Sequence, residues 1–248
     1  MNRNIFLCIL AAIFFGIAPS ILGMALEQGM ASQSIVVFAN FFNFVMAIAI
    51  CITGKHSLRI PLKSALCFSA MGILGMGTTV FFLTSSFAYI AVGTATVIHF
   101  MYPTIVTLAS VLFLKKRFTS HTAIAILCSI GGMLMISAGS GGESNNFLVG
   151  FLFALASSFT YSFYLVGNEL FHVERYSVWT GLAYMSGSSM IVFLMINLVS
   201  GSLTLPTTAE VAGLVTLGGL LQSMAYLLLT VGIAKVGAVN ASFATLIE

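Results

Sequence analysis

The sequence predicts an all-α membrane protein: an inverted repeat of two five-helix bundles, with eight full helices and an incomplete ninth. Three observations predict it. The chain of 248 residues is 59% hydrophobic and 6% charged, with a mean hydropathy of +1.10. Its nine Lys and Arg all sort to one side of a bilayer. A single offset of 144 residues aligns its two parts. Soluble domains carry about a quarter charged residues, so a water-soluble enzyme is excluded. At about 20 apolar residues per span, a chain of this length with short loops holds about nine spans.

The apolar runs follow in order. They are Ile5–Leu26, Ser34–Thr53, Ala65–Phe87, Gly93–Leu114, Thr119–Ala138, Phe147–Asn168, Val178–Val199 and Ala209–Gly232. A ninth starts at Gly237 and still runs at Glu248. Only helices and closed barrels pair every backbone group inside lipid. Runs near 20 residues without strict alternation are helices, because barrel strands are about half as long and alternate. Arg3 ahead of the first run resembles the start of a secretory signal. The run exceeds the roughly 7–15 residues of such a signal's apolar core, and it has a counterpart in the second half. It is therefore kept as a span.

With the N-terminus inside, Arg3, then Lys55, Arg59 and Lys63, then Lys115, Lys116 and Arg117, then Arg175 and Lys235 all fall in cytoplasmic segments. The opposite loops hold Glu27, Glu143 and Glu210 and no Lys or Arg. Cytoplasmic loops are enriched in basic residues; here the segregation is complete. The net charge of +3 is thus a topology marker, and no nucleic-acid partner is expected. Cys8, Cys51, Cys67 and Cys128 lie inside apolar runs with no metal-ligand spacing, so neither disulfide framework nor metal site is expected. No P-loop is present, and no cofactor is called for.

Shifted by 144 residues, Ala12 meets Ala156, Phe15 meets Phe159, Gly75 meets Gly219 and Phe82 meets Tyr226. Leu83 meets Leu227, and Val92-Gly93 meets Val236-Gly237. The first unit holds five helices, an odd number, so its copy enters the membrane from the other side. Inverted repeats of this kind underlie many secondary transporters.

The stretch Val92-Gly-Thr-Ala-Thr-Val-Ile-His-Phe-Met-Tyr-Pro103, followed by Leu114-Lys-Lys-Arg-Phe-Thr119, resembles the end of the first EamA unit. That unit is the five-helix building block of the drug/metabolite transporter superfamily. Val236-Gly-Ala-Val-Asn-Ala-Ser-Phe-Ala-Thr-Leu-Ile-Glu248 resembles the opposite unit just before its expected Glu-Pro pair. The resemblance implies ten helices, both termini cytoplasmic, and two units, 1–140 and 145–248, around a central cavity. It implies movement of small metabolites, amino acids or drugs, often outward. The family commonly has an acidic residue where this chain has Lys116, which puts in doubt any gate that needs that acid. By the offset, about 35 residues of the second unit would lie beyond Glu248, since twelve helical residues cannot cross about 30 Å of hydrocarbon.

Polar groups within spans are costly and mark solute and ion paths. His99 lies about 9 Å into the fourth helix and Glu248 about 16 Å into the ninth. Both are candidates for substrate contact or proton coupling. Pro103 removes a backbone donor and frees a carbonyl in the fourth helix; Pro19 does so in the first. Both are candidate helix breaks or hinges, and Tyr102 stands beside the former. Tyr161 and Tyr164, with Asn168 one turn beyond, fall on the sixth helix. Asn40 and Asn43 share a face of the second, and Gln222 and Tyr226 a face of the eighth. An aromatic and amide lining suits small, partly apolar solutes. Interhelical hydrogen bonding is the plainer use of each pair. Gly72, Gly75, Gly77, Gly213, Gly218 and Gly219 would allow close helix approach.

No Lys or Arg lies inside a span, so dianionic phosphate esters are poor substrates. The leading reading is a secondary transporter in the cell membrane. It would exchange access to a small-molecule substrate between the two sides of the lipid bilayer, with proton or cation coupling and a homodimer both left open. An intramembrane serine protease, with Gly187-Ser188-Ser189 and His99, is the alternative from another class. A channel or lipid scramblase is a third.

Overall fold

The computed structural model describes residues 3–116 and 146–247, with isolated positions between them at 123, 124, 127, 131, 132 and 135. Apart from those positions the fifth apolar run lies outside the described residues, as does Glu248. Among the described residues, seven helices are long and apolar enough to cross a membrane. They are α1 (Arg3–Glu27) and α2 (Ser32–Thr53), α3 (Leu62–Ser86) and α4 (Val92–Phe113), and α5 (Phe147–Leu170), α6 (Val178–Ser200) and α7 (Ala209–Val236). A short helix α8 (Ala238–Ala244) and a 3-10 turn (Thr245–Ile247) follow. Each full-length span matches one of the apolar runs.

Two spans depart from straight α-helix. In α3, the segment Met71–Gly77 is π-helical between two α-helical stretches. In α4, the helix stops at His99 and restarts at Tyr102 with Pro103 in its first turn. Proline fits a first turn, where its absent N–H would have no partner in any case. The proline therefore starts the second half of α4, and the break sits just before it, at Phe100 and Met101.

Packing explains the glycines. A Cβ on Gly72 would run into the backbone of Met185 in α6, one on Gly77 into the Ser189 hydroxyl, and one on Gly75 would press the Tyr164 backbone at 3.2 Å. These three residues lie in the π segment, which is pressed between α5 and α6. Gly218 faces Leu22 and Gly219 faces Phe42, at 2.7 and 2.5 Å from the added Cβ. Gly213 faces open space, so the expected close approach does not occur there.

α1 packs along α7, and α2 packs on both α6 and α7. α3 packs on α5 and α6, α4 on α5 and α8, and α8 also touches α1. The largest buried side chains include Tyr102, Tyr164, Tyr226, Phe68 and Met71, and all belong to one cluster. Leu66, Leu112, Leu148, Ile191, Val199 and Leu217 are instead exposed. An apolar exterior around a core holding tyrosine, histidine and amides is the arrangement expected in lipid.

Candidate functional site: a cavity beside a broken helix

The break in α4 is stitched to α5 by serines. Proline at position 103 cannot donate to the carbonyl one turn earlier, that of His99. The Ser158 hydroxyl donates to that oxygen at 2.9 Å. The Ser162 hydroxyl lies 3.1 Å from the Tyr102 carbonyl, with its shorter bond, 2.6 Å, to the Ser158 carbonyl of its own helix. Ser157 meets the His99 ring at Nδ1, 2.8 Å away. The Ser157 hydroxyl already gives its hydrogen to the Ala154 carbonyl at 2.6 Å. A hydroxyl has one hydrogen, so His99 Nδ1–H is the donor to Ser157. In a neutral imidazole the other nitrogen then accepts, which leaves Nε2 of His99 with a lone pair to offer.

His99 lines a cavity of about 50 Å³. Phe15, Pro19 and Leu22 of α1 form one wall. Thr79 and Thr84 of α3 and Thr96 of α4 form another, and Tyr161, Gln222 and Tyr226 complete it from α5 and α7. The rings form a continuous set. Phe15 meets Tyr226 edge-on with centroids 5.0 Å apart, and His99 lies 5.2 Å from Tyr161. Tyr102 and Tyr164 stand behind this lining. Tyr102 packs on Tyr161 at 4.8 Å and bonds Thr245 through its hydroxyl. Tyr164 packs on Tyr226 at 5.3 Å. Thr230 gives its hydrogen to the Tyr226 carbonyl, so the Tyr164 hydroxyl donates to Thr230, at 2.6 Å.

Of the residues expected from sequence, His99, Tyr161, Gln222, Tyr226 and Pro19 therefore meet at one cavity. Tyr102 and Tyr164 support it from behind, and Pro103 shapes its edge. Asn40 and Asn43 do not line it. They are buried in α2, where Asn40 Nδ2 donates to its own helix at Val36, and the Oδ1 atoms of both have no partner among the described residues. The Ser–His pair of a protease is not formed by Ser188, which donates to the carbonyls of Ser69 and Met185. Sequence reasoning missed Phe15, Thr79, Thr84, Thr96 and the three serines. Ser158 and Ser162 lie one turn apart on α5, a readable signal, but nothing in the chain named the helix they face.

A second cavity of about 320 Å³ lies one turn further along α7. Asn168, Glu169, His172, Glu174 and Thr230 line it. At its edge Lys116 contacts both carboxylate oxygens of Glu169, at 2.6 and 2.8 Å. The Ala238 backbone N–H donates to the same carboxylate at 2.7 Å. Gly237, at φ +80°, sets this turn; an added Cβ would lie 3.2 Å from the carboxylate and 3.3 Å from Lys116 Nζ. Lys116 thus finds its acid on α5.

A bundle of seven membrane-length helices around a buried polar and aromatic cavity defines a multi-pass membrane protein. The EamA-like transporter family matches residues 2–138, more than half of the chain, and the chain belongs to that family. No curated protein matches it. A solved structure described only as "Crystal structure of protein" is similar in fold. Its TM-score is 0.74 at 17% identity, covering 100% of this chain and 86% of the other.

Proposed function

We propose that the protein is a secondary transporter that exports a small organic metabolite, amino acid or drug-like solute across the cytoplasmic membrane, with its N-terminus in the cytoplasm. The observation that carries this reading is the composition of the cavity wall. Phe15, Thr79 and His99 come from the first part of the chain, and Tyr161, Gln222 and Tyr226 from the second. A site shared between two parts changes its access when they rock against each other.

The packing supports an inverted pair. Exchange α1 with α5, α2 with α6, α3 with α7 and α4 with α8, as the 144-residue offset dictates. The contact of α1 with α7 becomes that of α5 with α3. That of α2 with α7 becomes α6 with α3, and that of α4 with α5 becomes α8 with α1. The α2–α6 contact maps onto itself. Every one of these contacts is present. In this reading the wall between the two cavities, Tyr164 with Tyr226 and Thr230, separates the solute site from a cytoplasmic vestibule. Solute entry from that side requires the Tyr164–Thr230 bond to open.

Counterflow in proteoliposomes tests the proposal. Preloaded solute should drive saturable uptake of its labelled form, and Tyr161→Ala and His99→Ala should each lower the rate at least several-fold. Flux that never saturates would indicate a channel or scramblase instead. If both variants transport like the parent, the cavity is not the solute site.

A further inference from the structure

The direction of the hydrogen bonds around the central cavity identifies what it can hold. Thr84 donates its hydroxyl hydrogen to the Val80 carbonyl at 2.7 Å, and Thr96 to the Val92 carbonyl at 2.8 Å. Thr79 donates to the Gly75 carbonyl at 2.5 Å and accepts from the Thr160 hydroxyl at 2.8 Å, which leaves it one lone pair. Each of these hydroxyls has one hydrogen and has given it to its own helix. What remains to a ligand is lone pairs. His99 adds another, because Nδ1–H is engaged by Ser157 and Nε2 is the acceptor. Four lining residues thus present acceptors with no hydrogen to give. Gln222 is the one lining amide and can turn either end to a ligand.

The rest of the wall is aromatic. Phe15, Tyr161 and Tyr226 bring ring faces and edges to the same space. Ring faces attract cations. Among the described residues of the lining there is no Lys or Arg to neutralise an anion, and no Asp or Glu either. An anionic group would find donors only at Gln222 and the Tyr161 and Tyr226 hydroxyls and would face lone pairs at Thr79, Thr84, Thr96 and His99, whereas a group rich in N–H donors finds partners at those four.

We infer that the cavity selects a small organic amine in its protonated form, with an ammonium N–H donated to Nε2 of His99 and the positive charge set among the rings of Phe15, Tyr161 and Tyr226. This inference rests on the transport reading above and narrows it to a substrate class. His99 and Thr96 become the residues that read the N–H group. The rings read charge and apolar bulk.

Four four-carbon probes separate these contributions: butylammonium, butyltrimethylammonium, butanol and butyrate. Each is added to the purified full chain at neutral pH and its effect on thermal unfolding is measured, since a ligand that binds the native state raises apparent stability by mass action. Butylammonium should stabilise most and butyrate least. His99→Asn keeps a donor near Ser157 but has no atom where Nε2 stood. It should cut the preference for butylammonium over butyltrimethylammonium about tenfold, the size of one hydrogen bond to a charged group. Thr96→Val leaves the α4 break untouched and should cut the same preference by a smaller factor, so the result survives if His99→Asn fails to fold. Butyrate binding as well as butylammonium overturns the inference, as does a preference unchanged in both variants, or no response to any probe. Counterflow keeps the two readings apart. A chain that exchanges some other solute while ignoring butylammonium sinks this inference alone, and one that binds butylammonium but exchanges nothing sinks the transport reading.

Discussion

Ser158 holds a carbonyl that a proline leaves open. The His99 oxygen is buried, has lost its helical donor to Pro103, and takes its hydrogen from α5 instead. A buried acceptor stripped of its partner costs about 1–3 kcal/mol. Ser158→Ala should therefore lower thermal stability in detergent by an amount in that range. Pro103→Ala supplies a backbone N–H that can reach the same oxygen, so the serine substitution should cost about 1 kcal/mol less in that background. A double-mutant cycle measures this coupling; strictly additive effects would mean that Ser158 acts elsewhere. At this scale the sequence was partly legible. A proline and a histidine inside an apolar run announce themselves by their cost, and so do tyrosines and a glutamine. Thr79, Thr84 and Thr96 do not, because a threonine that bonds its own helix is cheap anywhere in a span. Their importance comes from the hydrogen they no longer have.

The π segment of α3 shows what an element can hide. Apolar periodicity finds a span of the right length and says nothing about a local change of winding. Its glycines were visible, but their neighbours were not, and the structure separates glycines of identical appearance in the sequence. Gly72 abuts the Met185 backbone, which cannot rotate away, whereas Gly213 faces open space. Gly72→Ala should destabilise by about 1–3 kcal/mol, the range of overpacked sites. Gly213→Ala should be neutral or stabilising by up to about 1 kcal/mol, the helix preference of alanine over glycine. Unfolding of the two variants side by side checks the order. Equal effects would mean that α3 and α6 adjust their spacing freely. The short helix α8 was legible only as the start of a ninth run. That its first N–H is held by a glutamate at the far end of α5 could not be read, because the two are 69 residues apart in the chain.

Across the whole molecule, the Lys116–Glu169–Ala238 cluster links the end of α4, the end of α5 and the turn between α7 and α8. It thus joins the two parts of the chain beside the vestibule. Any rocking of one part on the other has to stretch it. The ion pair is partly exposed, and such pairs contribute only about 0–1 kcal/mol. In the proposed transport cycle that is weak enough to break at each turn and strong enough to bias which state is populated. Glu169 also accepts from the Ala238 backbone, and its variants separate the two bonds. Glu169→Gln loses the charge but keeps an acceptor for Ala238; Glu169→Ala loses both. Lys116→Ala loses the ion pair alone and should resemble the glutamine variant. A cysteine at Gln222 reports on opening, through its rate of reaction with an impermeant thiol reagent added on the cytoplasmic side. Glu169→Ala should raise that rate by a few-fold, and Glu169→Gln and Lys116→Ala by less. The charge swap Lys116→Glu with Glu169→Lys should recover only part of the closure, because a lysine at 169 cannot accept from Ala238. If all of these variants label at the parent rate, the cluster is a static tie and the gate lies with Tyr164 and Thr230. If the swap recovers closure completely, the backbone bond contributes nothing and the ion pair alone holds the two parts together.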